Sequence, residues 1–210
     1  MKEYIKIDTI FNRDTEGTKK LIPGSFRDKT VEFLKDLPWV WTEKVDGTNI
    51  RIHWDGHKIT FGGRTDKAQI PVDLINWLNE HFLNNETEEL FEQKFGEMKV
   101  TLYGEGYGRK IQSGGAYIPD GVSFIMFDVN IEDIWLKRDS VEDIAKTFGI
   151  DVVPIVGVGT IDEAVEFVKT KPNSTIGTAK MEGVVCRPQV ELFDRMGRRL
   201  IVKVKVCDFT

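Results

Sequence analysis

Histidine, cysteine and long apolar runs are all scarce in this chain, and each scarcity removes a class of function. Three histidines (His53, His57 and His81) and two cysteines (Cys186 and Cys207) are spread over 210 residues without the spacing of a zinc site. So few cysteines suit a reduced, cytoplasmic setting, with each thiol a bland packed group. No stretch approaches the roughly 20 apolar residues of a membrane span. The opening residues, Met1 to Lys6, hold no apolar core of a signal peptide. An excess of positive charge is also missing: 29 Lys and Arg stand against 34 Asp and Glu, for a net charge of -5. A protein of that balance holds bulk polynucleotide weakly, so any nucleic-acid binding concentrates at a local charged groove or at a strand end. Repeats, low-complexity tracts and linkers are absent as well, and 40% hydrophobic content suffices for one core. The expectation is a single domain over residues 1–210.

What is present reads as a mixture of strands and helices. Asn12 to Lys20 is polar and reads as a loop, and Asp28 to Leu37 as a short helix ending before Pro38. Trp39 to Val45 reads as a strand. Thr48 to Trp54 alternates, with Ile50, Ile52 and Trp54 on one face and Asn49, Arg51 and His53 on the other. Asp55-Gly56 is a hairpin turn signal, with Lys58 to Phe61 returning. Helices are predicted over Pro71 to Leu83, with an apolar stripe of Val72, Ile75, Leu78 and Phe82, and over Thr87 to Phe95. Lys99 to Glu105 and Val122 to Val129 read as strands around a glycine-rich loop, Gly106 to Gly121. Then follow a helix (Asp139 to Phe148), a strand (Val152 to Val156), a helix (Ile161 to Lys169) and two strands (Met181 to Arg187 and Arg198 to Val206). Without a regular βαβ rhythm, the pattern predicts an α+β fold with mainly antiparallel sheets and flanking helices.

Several residues sit where packing does not explain them. Lys44 lies between Glu43 and Asp46, at the end of an apolar run and before Gly47. Lys203 and Lys205 are two apart in a strand, so they share one face while Leu200, Val202, Val204 and Val206 fill the other. Such a pair is either an edge strand guarded by lysines or a phosphate-binding pair. Glu182 precedes an apolar strand, and Glu105 stands between Gly104 and Gly106, whose missing side chains permit close approach of a ligand or backbone. Asp128 ends a strongly apolar strand, costly unless paired or exposed. Arg109-Lys110 and Arg198-Arg199 either track nucleic-acid phosphates or form solvated faces, and the histidines read as satisfied or solvated groups.

In order, these pieces resemble the motif series of the covalent nucleotidyltransferases, the superfamily of ATP-dependent ligases and capping enzymes. Glu43-Lys44-Val45-Asp46-Gly47 resembles the nucleophile motif, Phe61-Gly62-Gly63-Arg64-Thr65 the arginine motif, and Leu102 to Gly106 the next. Phe124 to Val129, Met181 to Val185 and Lys203-Val204-Lys205 are similar to the remaining three, so the resemblance runs from about Trp39 to Lys205. Within the superfamily the chain is most similar to RNA ligases of the phage RNA-repair type, through Thr48-Asn49 after Gly47 and through Ile111-Gln112-Ser113-Gly114 with Tyr117.

The resemblance implies a nucleotidyltransferase (ATP-grasp-like) domain, here without an OB-fold or helical extension. It implies that Lys44 attacks the α-phosphate of ATP to form lysyl-AMP, that AMP moves to a 5′-phosphate RNA end, and that a 3′-hydroxyl then seals the strand. The nucleophile must be a neutral amine. A free lysine has a pKa of about 10.4, so only about 4 in 10,000 are neutral at pH 7. Lys203, Lys205 and a bound Mg2+ are expected to favour the neutral form by repulsion while holding the ATP phosphates. By the same resemblance Phe127 stacks on adenine, Glu105 binds ribose, Glu182 binds metal, and Glu43 belongs to the nucleotide site. Arg64 contacts the 5′-phosphate or AMP phosphate, and Asn49 positions the reacting groups. ATP, magnesium and RNA ends are the expected ligands, for a monomer aided by a separate RNA-engaging partner protein. Two other readings stay open: a DNA nick-sealing core or other covalent nucleotidyltransferase, and a non-catalytic nucleotide- or RNA-binding module.

Overall fold

The computed structural model of the chain describes residues 1–18 and 20–209. In chain order the elements are β1 (Asp8–Thr9), β2 (Phe11–Arg13), β3 (Leu21–Phe26), α1 (Lys29–Leu34), β4 (Trp39–Lys44), β5 (Thr48–Trp54), β6 (Ile59–Gly62), α2 (Val72–Phe82), α3 (Asn85–Phe95) and β7 (Val100–Gly108). There follow β8 (Val122–Ile131), β9 (Ile134–Trp135), α4 (Arg138–Thr147), β10 (Asp151–Val152), β11 (Ile155–Gly159), α5 (Ile161–Lys169), β12 (Gly183–Pro188) and β13 (Val202–Lys205). Strand pairing is antiparallel except for β1 with β13 and β10 with β8, the α+β pattern expected. The contacts gather into two compact units: Met1–Ile5 with Asp46–Val153, and Lys6–Val45 with Pro154–Thr210.

In the first unit the sheet order is β10-β8-β7-β5-β6, with β9 on β8. Ile50, Ile52 and Trp54 turn into a core with Val100, Leu102 and Phe124. The alternation of β5 is as predicted, and it leaves Asn49, Arg51 and His53 on the opposite face. The α2 stripe is corrected. Leu74, Leu78 and Phe82, four apart, are buried, whereas Val72 in the first turn is 70% exposed. The glycine-rich loop is shorter than expected, because β7 runs on through Gly108, paired with Val122 of β8. Glycine suits these strand positions because neighbours occupy the Cβ sites: the Phe124 ring at Gly104 and the Leu74 side chain at Gly106.

In the second unit the order is β1-β13-β12-β4-β11, beside a separate β2–β3 hairpin. Trp39, Trp41, Val184, Cys186, Val202 and Val204 form its core with Ile161, Ala164, Val165 and Val168 of α5. A capping box starts α5: Glu163 N donates to Thr160 Oγ1, and the Glu163 carboxylate accepts from Thr160 N. The stretch read as a loop over Asn12 to Lys20 opens inside β2 and is a hairpin connection, whose turn is tied by Asp14 accepting from the amides of Glu16, Gly17 and Thr18. Lys19 lies outside the described residues. The single strand predicted over Val152 to Val156 is two, β10 in the first unit and β11 in the second. Val153 and Pro154, which lacks the N–H of a ladder, separate them. Likewise Arg198 to Leu200 precede β13 as part of a loop rather than belonging to the strand.

Candidate active site

Lys44 ends β4, and its placement follows from pairing. Across the sheet, Gly183 of β12 is in register with Lys44 on one side and with Lys205 of β13 on the other. The odd-numbered core residues of β4, Trp39 and Trp41, point inward, so Lys44 falls on the opposite face, with Lys203 and Lys205. Between the two lysines the strand carries no side chain. A Cβ on Gly183, whose φ is +156°, would strike the Val204 carbonyl. Glu182, one residue earlier, fills the gap. Its Oε2 is 2.5 Å from Lys44 Nζ and its Oε1 is 2.8 Å from Lys205 Nζ. The carboxylate thus joins lysines that are 161 residues apart in sequence into one ion triad, with each of its oxygens taken. For Lys205, burial opposes the charged form, but the hydrogen bond and charge of Glu182 outweigh it and the pKa is raised.

This geometry modifies the expectation for Lys44. Glu182 stands between the two lysines and holds Lys44 in an ion pair. Glu43 points away, as strand alternation requires. It is 1% exposed on the core face, where its carboxylate accepts from Ser174 Oγ, from Thr175 N at 3.0 Å and from Thr175 Oγ1 at 2.6 Å. Those bonds tie the end of β4 to the segment before β12. Ser174 and Thr175 escaped the sequence reading, as did Arg187, which β12 places on the same face as Lys44. The alternation Gly183, Val185, Arg187 is the signal that points to it.

The other predicted residues lie in the first unit. Asn49 of β5 is directly paired with Glu105 of β7, so the two share the face opposite the core. Glu105 is half-buried. Asn49 Oδ1 is shielded from solvent without a hydrogen-bond partner among the described residues. Gly47 passes so close to this strand that a Cβ there would meet the Gly106 carbonyl and the Glu105 side chain. Asp46 N donates to Tyr117 Oη (3.1 Å), and Asp46 Oδ2 accepts from Ser113 N (3.3 Å). The loop singled out in the sequence therefore clasps Asp46.

Phe127 occupies a bulge in β8, opposite the step from Tyr103 to Gly104. It is half-buried, with the Tyr4 ring edge-on at 5.0 Å. Asp128 resolves as a paired group: it is buried and accepts from Tyr4 Oη at 2.6 Å. Arg64 is exposed, on a loop anchored from below by Arg51. The Arg51 guanidinium is fully buried and donates to Gly63 O (2.7 Å), Met1 O (3.0 Å) and Asp66 Oδ1 (2.9 Å). That anchoring residue was read from sequence only as one of an alternating set. His53 lies 2.9 Å from Thr101 Oγ1, and His81 stacks on Trp77. Arg109 pairs with Asp120 and Arg198 with Asp194. Among the described residues no three His, Cys, Asp or Glu side chains cluster as a metal site, and no helix is long and apolar enough to cross a membrane.

A family model described as RNA ligase matches residues 37–205, most of the chain. The chain belongs to the RNA ligase family. Its fold is similar to part of Naegleria gruberi RNA ligase. A structure of that ligase with PPi superposes with a TM-score of 0.63 at 18% identity, covering 98% of this chain and 62% of the other. A lysine-to-alanine variant with ATP and Mn gives 0.63 at 17%, over 95% and 60%. A lysine-to-methionine variant with AMP and Mn gives 0.63 at 18%, over 95% and 60%. The chain thus spans about three-fifths of the length of these ligases, and identities this low carry the fold alone. Among curated proteins none matches.

Proposed function

We propose that residues 1–210, both compact units together, form one nucleotidyltransferase domain that acts as an ATP-dependent RNA ligase through a lysyl-AMP intermediate on Lys44. The observation that carries this reading is the triad Lys44–Glu182–Lys205, set in register across a strand that has only glycine between the lysines. A lysine-guarded edge would need none of it, since β13 is flanked on both sides, by β1 and β12.

In this reading Lys44 Nζ attacks the α-phosphorus of ATP. The ammonium loses one proton to solvent before attack, the P–N bond forms as the bond to pyrophosphate breaks, and a second proton leaves the nitrogen for solvent as the phosphoramidate forms. An amine held against a carboxylate is not a nucleophile, so Glu182 must exchange Lys44 for another partner before attack. Lys203 and Lys205 hold phosphate oxygens and stabilise charge that develops in line. Glu105 takes ribose hydroxyls, Phe127 stacks on adenine, Arg64 meets the 5′-phosphate, and the orphan Asn49 Oδ1 accepts a hydrogen bond from the reacting groups. Glu43 serves through position, by fixing the strand that bears Lys44. A single carboxylate beside two lysines suits Mg2+ held chiefly by phosphate and water oxygens, with Glu182 as the protein's contribution. When bound, that ion would neutralise phosphate charge. The RNA bears 5′-phosphate and 3′-hydroxyl ends. The chain works as a cytoplasmic monomer, with a separate protein helping to engage RNA.

Incubation with α-labelled ATP and magnesium tests this. Label that survives denaturing electrophoresis and alkali and is released by acid, as a phosphoramidate requires, is expected on the wild type and none on Lys44→Ala. A folded wild type that takes no label refutes the reading, and preferential labelling by GTP would turn it toward capping chemistry.

A further inference from the structure

Between β12 and β13, both of which carry site residues, the chain leaves the sheet as a hairpin-like loop over residues 189–200. Its inner side is anchored: Leu200 is buried in the second unit's core, Leu192 packs against it, and Leu200 N donates to Leu192 O. Its tip is ordered by Asp194, whose Oδ1 accepts from Met196 N at 2.8 Å and Arg198 N at 2.9 Å, and whose Oδ2 pairs with Arg198 Nε at 2.7 Å. Backbone hydrogen bonds hold the Asp194 carboxylate below the usual range, with the Arg198 amide the largest cause. The tip is therefore a built turn rather than a slack loop.

What this turn presents is unusual for a surface that meets only water. Phe193 is 56% exposed and Met196 72%, and the exposed Arg195 stands between them in sequence. From Arg187 to Lys205 six basic residues face two acidic ones, in a chain whose net charge is -5. Three of the six, Arg195, Arg198 and Arg199, lie in residues 189–200 against Glu191 and Asp194, and the others lie on β12 and β13, so the excess positive charge belongs to the hairpin together with the strands it joins.

We infer that the 189–200 hairpin is a contact surface for the RNA strand, with Phe193 as a stacking platform for a base and Arg195 and Arg198 beside it for phosphates. Exposed aromatic and cationic side chains together are how single strands are held without sequence preference, stacking supplying the apolar part and arginine the counter-charge. A protein partner would also use an exposed phenylalanine, but the charge bias favours a polyanion. The inference rests on the reading of the chain as an RNA ligase, and deepens it by saying where the strand runs.

The test is fluorescence anisotropy with a 5′-phosphorylated oligoribonucleotide, run beside lysyl-AMP formation. For Phe193→Ala we expect RNA binding weaker by about tenfold. For Arg195→Ala/Arg198→Ala we expect a binding slope against salt shallower by about 1.4, from two lost phosphate contacts. Lysyl-AMP formation should be unchanged in both, because it needs no RNA, and that also reports a folded site. Since Arg198 helps order the tip, Arg195→Glu is the companion variant, expected to weaken binding on its own. Unchanged RNA affinity and salt slope in all these variants overturns the inference. So does a wild type that dimerises in ultracentrifugation and a Phe193→Ala variant that does not, which would give the hairpin to a second copy. Failure of the wild type to form lysyl-AMP counts against the ligase reading instead, since RNA binding is measured independently.

Discussion

At the scale of single residues, burial decides which charges act and which only hold. Arg51 has no exposed side-chain surface, yet its guanidinium donates to loops and the terminus: Gly63, Asp66 and Met1. Charged hydrogen bonds of this kind contribute about 1.5–3 kcal/mol each, partly recovered when the carbonyls can reach water. Arg51→Met should therefore cost about 2–3 kcal/mol in urea unfolding, and a loss under about 0.5 kcal/mol, the level of an ordinary surface change, would show that the anchor is dispensable. His53 behaves differently. Burial, aided by the charge of the chain's amino terminus, lowers its pKa, against Asp55. A histidine depressed on folding contributes stability that is fully present above its unfolded pKa of about 6.5 and lost as pH falls through the folded value. His53→Gln should accordingly flatten the fall in stability below pH about 6.5, read as the change in urea midpoint with pH. Equal slopes for variant and wild type would contradict this. Alternation alone had put Arg51 and His53 on the face away from the core, but their partners lie 12 to 50 residues away and no local pattern names them.

At the scale of elements, most were legible because capping and periodicity are local. Asp28, Asn84 and Thr160 accept from the first turns of α1, α3 and α5. The α5 box matters most for the site, since α5 packs in the same core as β4 and β13, which carry Lys44 and Lys205, and β12, which follows Glu182. Thr160→Ala should lower stability by about 1 kcal/mol, within the usual 0.5–2 for a lost cap, with Thr160→Ser close to wild type in thermal unfolding. A full loss in the serine variant would point to packing of the threonine methyl instead. Where the elements departed from expectation, the cause was non-local. Gly106 and Gly108 read as loop residues by composition, yet they extend β7 because β8 supplies partners and because Leu74 and the β8 backbone occupy their Cβ positions. Short strands such as β1 exist only because a neighbour, here β13, completes them.

At the scale of the whole molecule, charge is the property that composition predicts best. A net charge of -5 opposes bulk polynucleotide, so recognition should depend on the strand end. A 5′-phosphorylated oligoribonucleotide is expected to compete at least several-fold better than the same strand with a 5′-hydroxyl at about 0.15 M salt. Equal competition would mean that the end is not read. The family and the order of its motifs were visible in the sequence, because the chemistry demands particular residue types at particular places: a lysine before a tight turn, a glutamate ahead of a strand, two lysines on one strand face. Residue type and period alone determined the α+β pattern and the faces of β5 and β13, and the motif resemblance singled out the candidate nucleophile. Only the tertiary structure decided that Gly183 falls in register between Lys44 and Lys205, and that Glu182 bridges the two. It also turned Glu43 inward onto Ser174 and Thr175. The reason is physical. Periodicity acts over a few residues, whereas strand register and ion pairing are settled between segments far apart in sequence, where the burial of one face sets which side chains meet on the other.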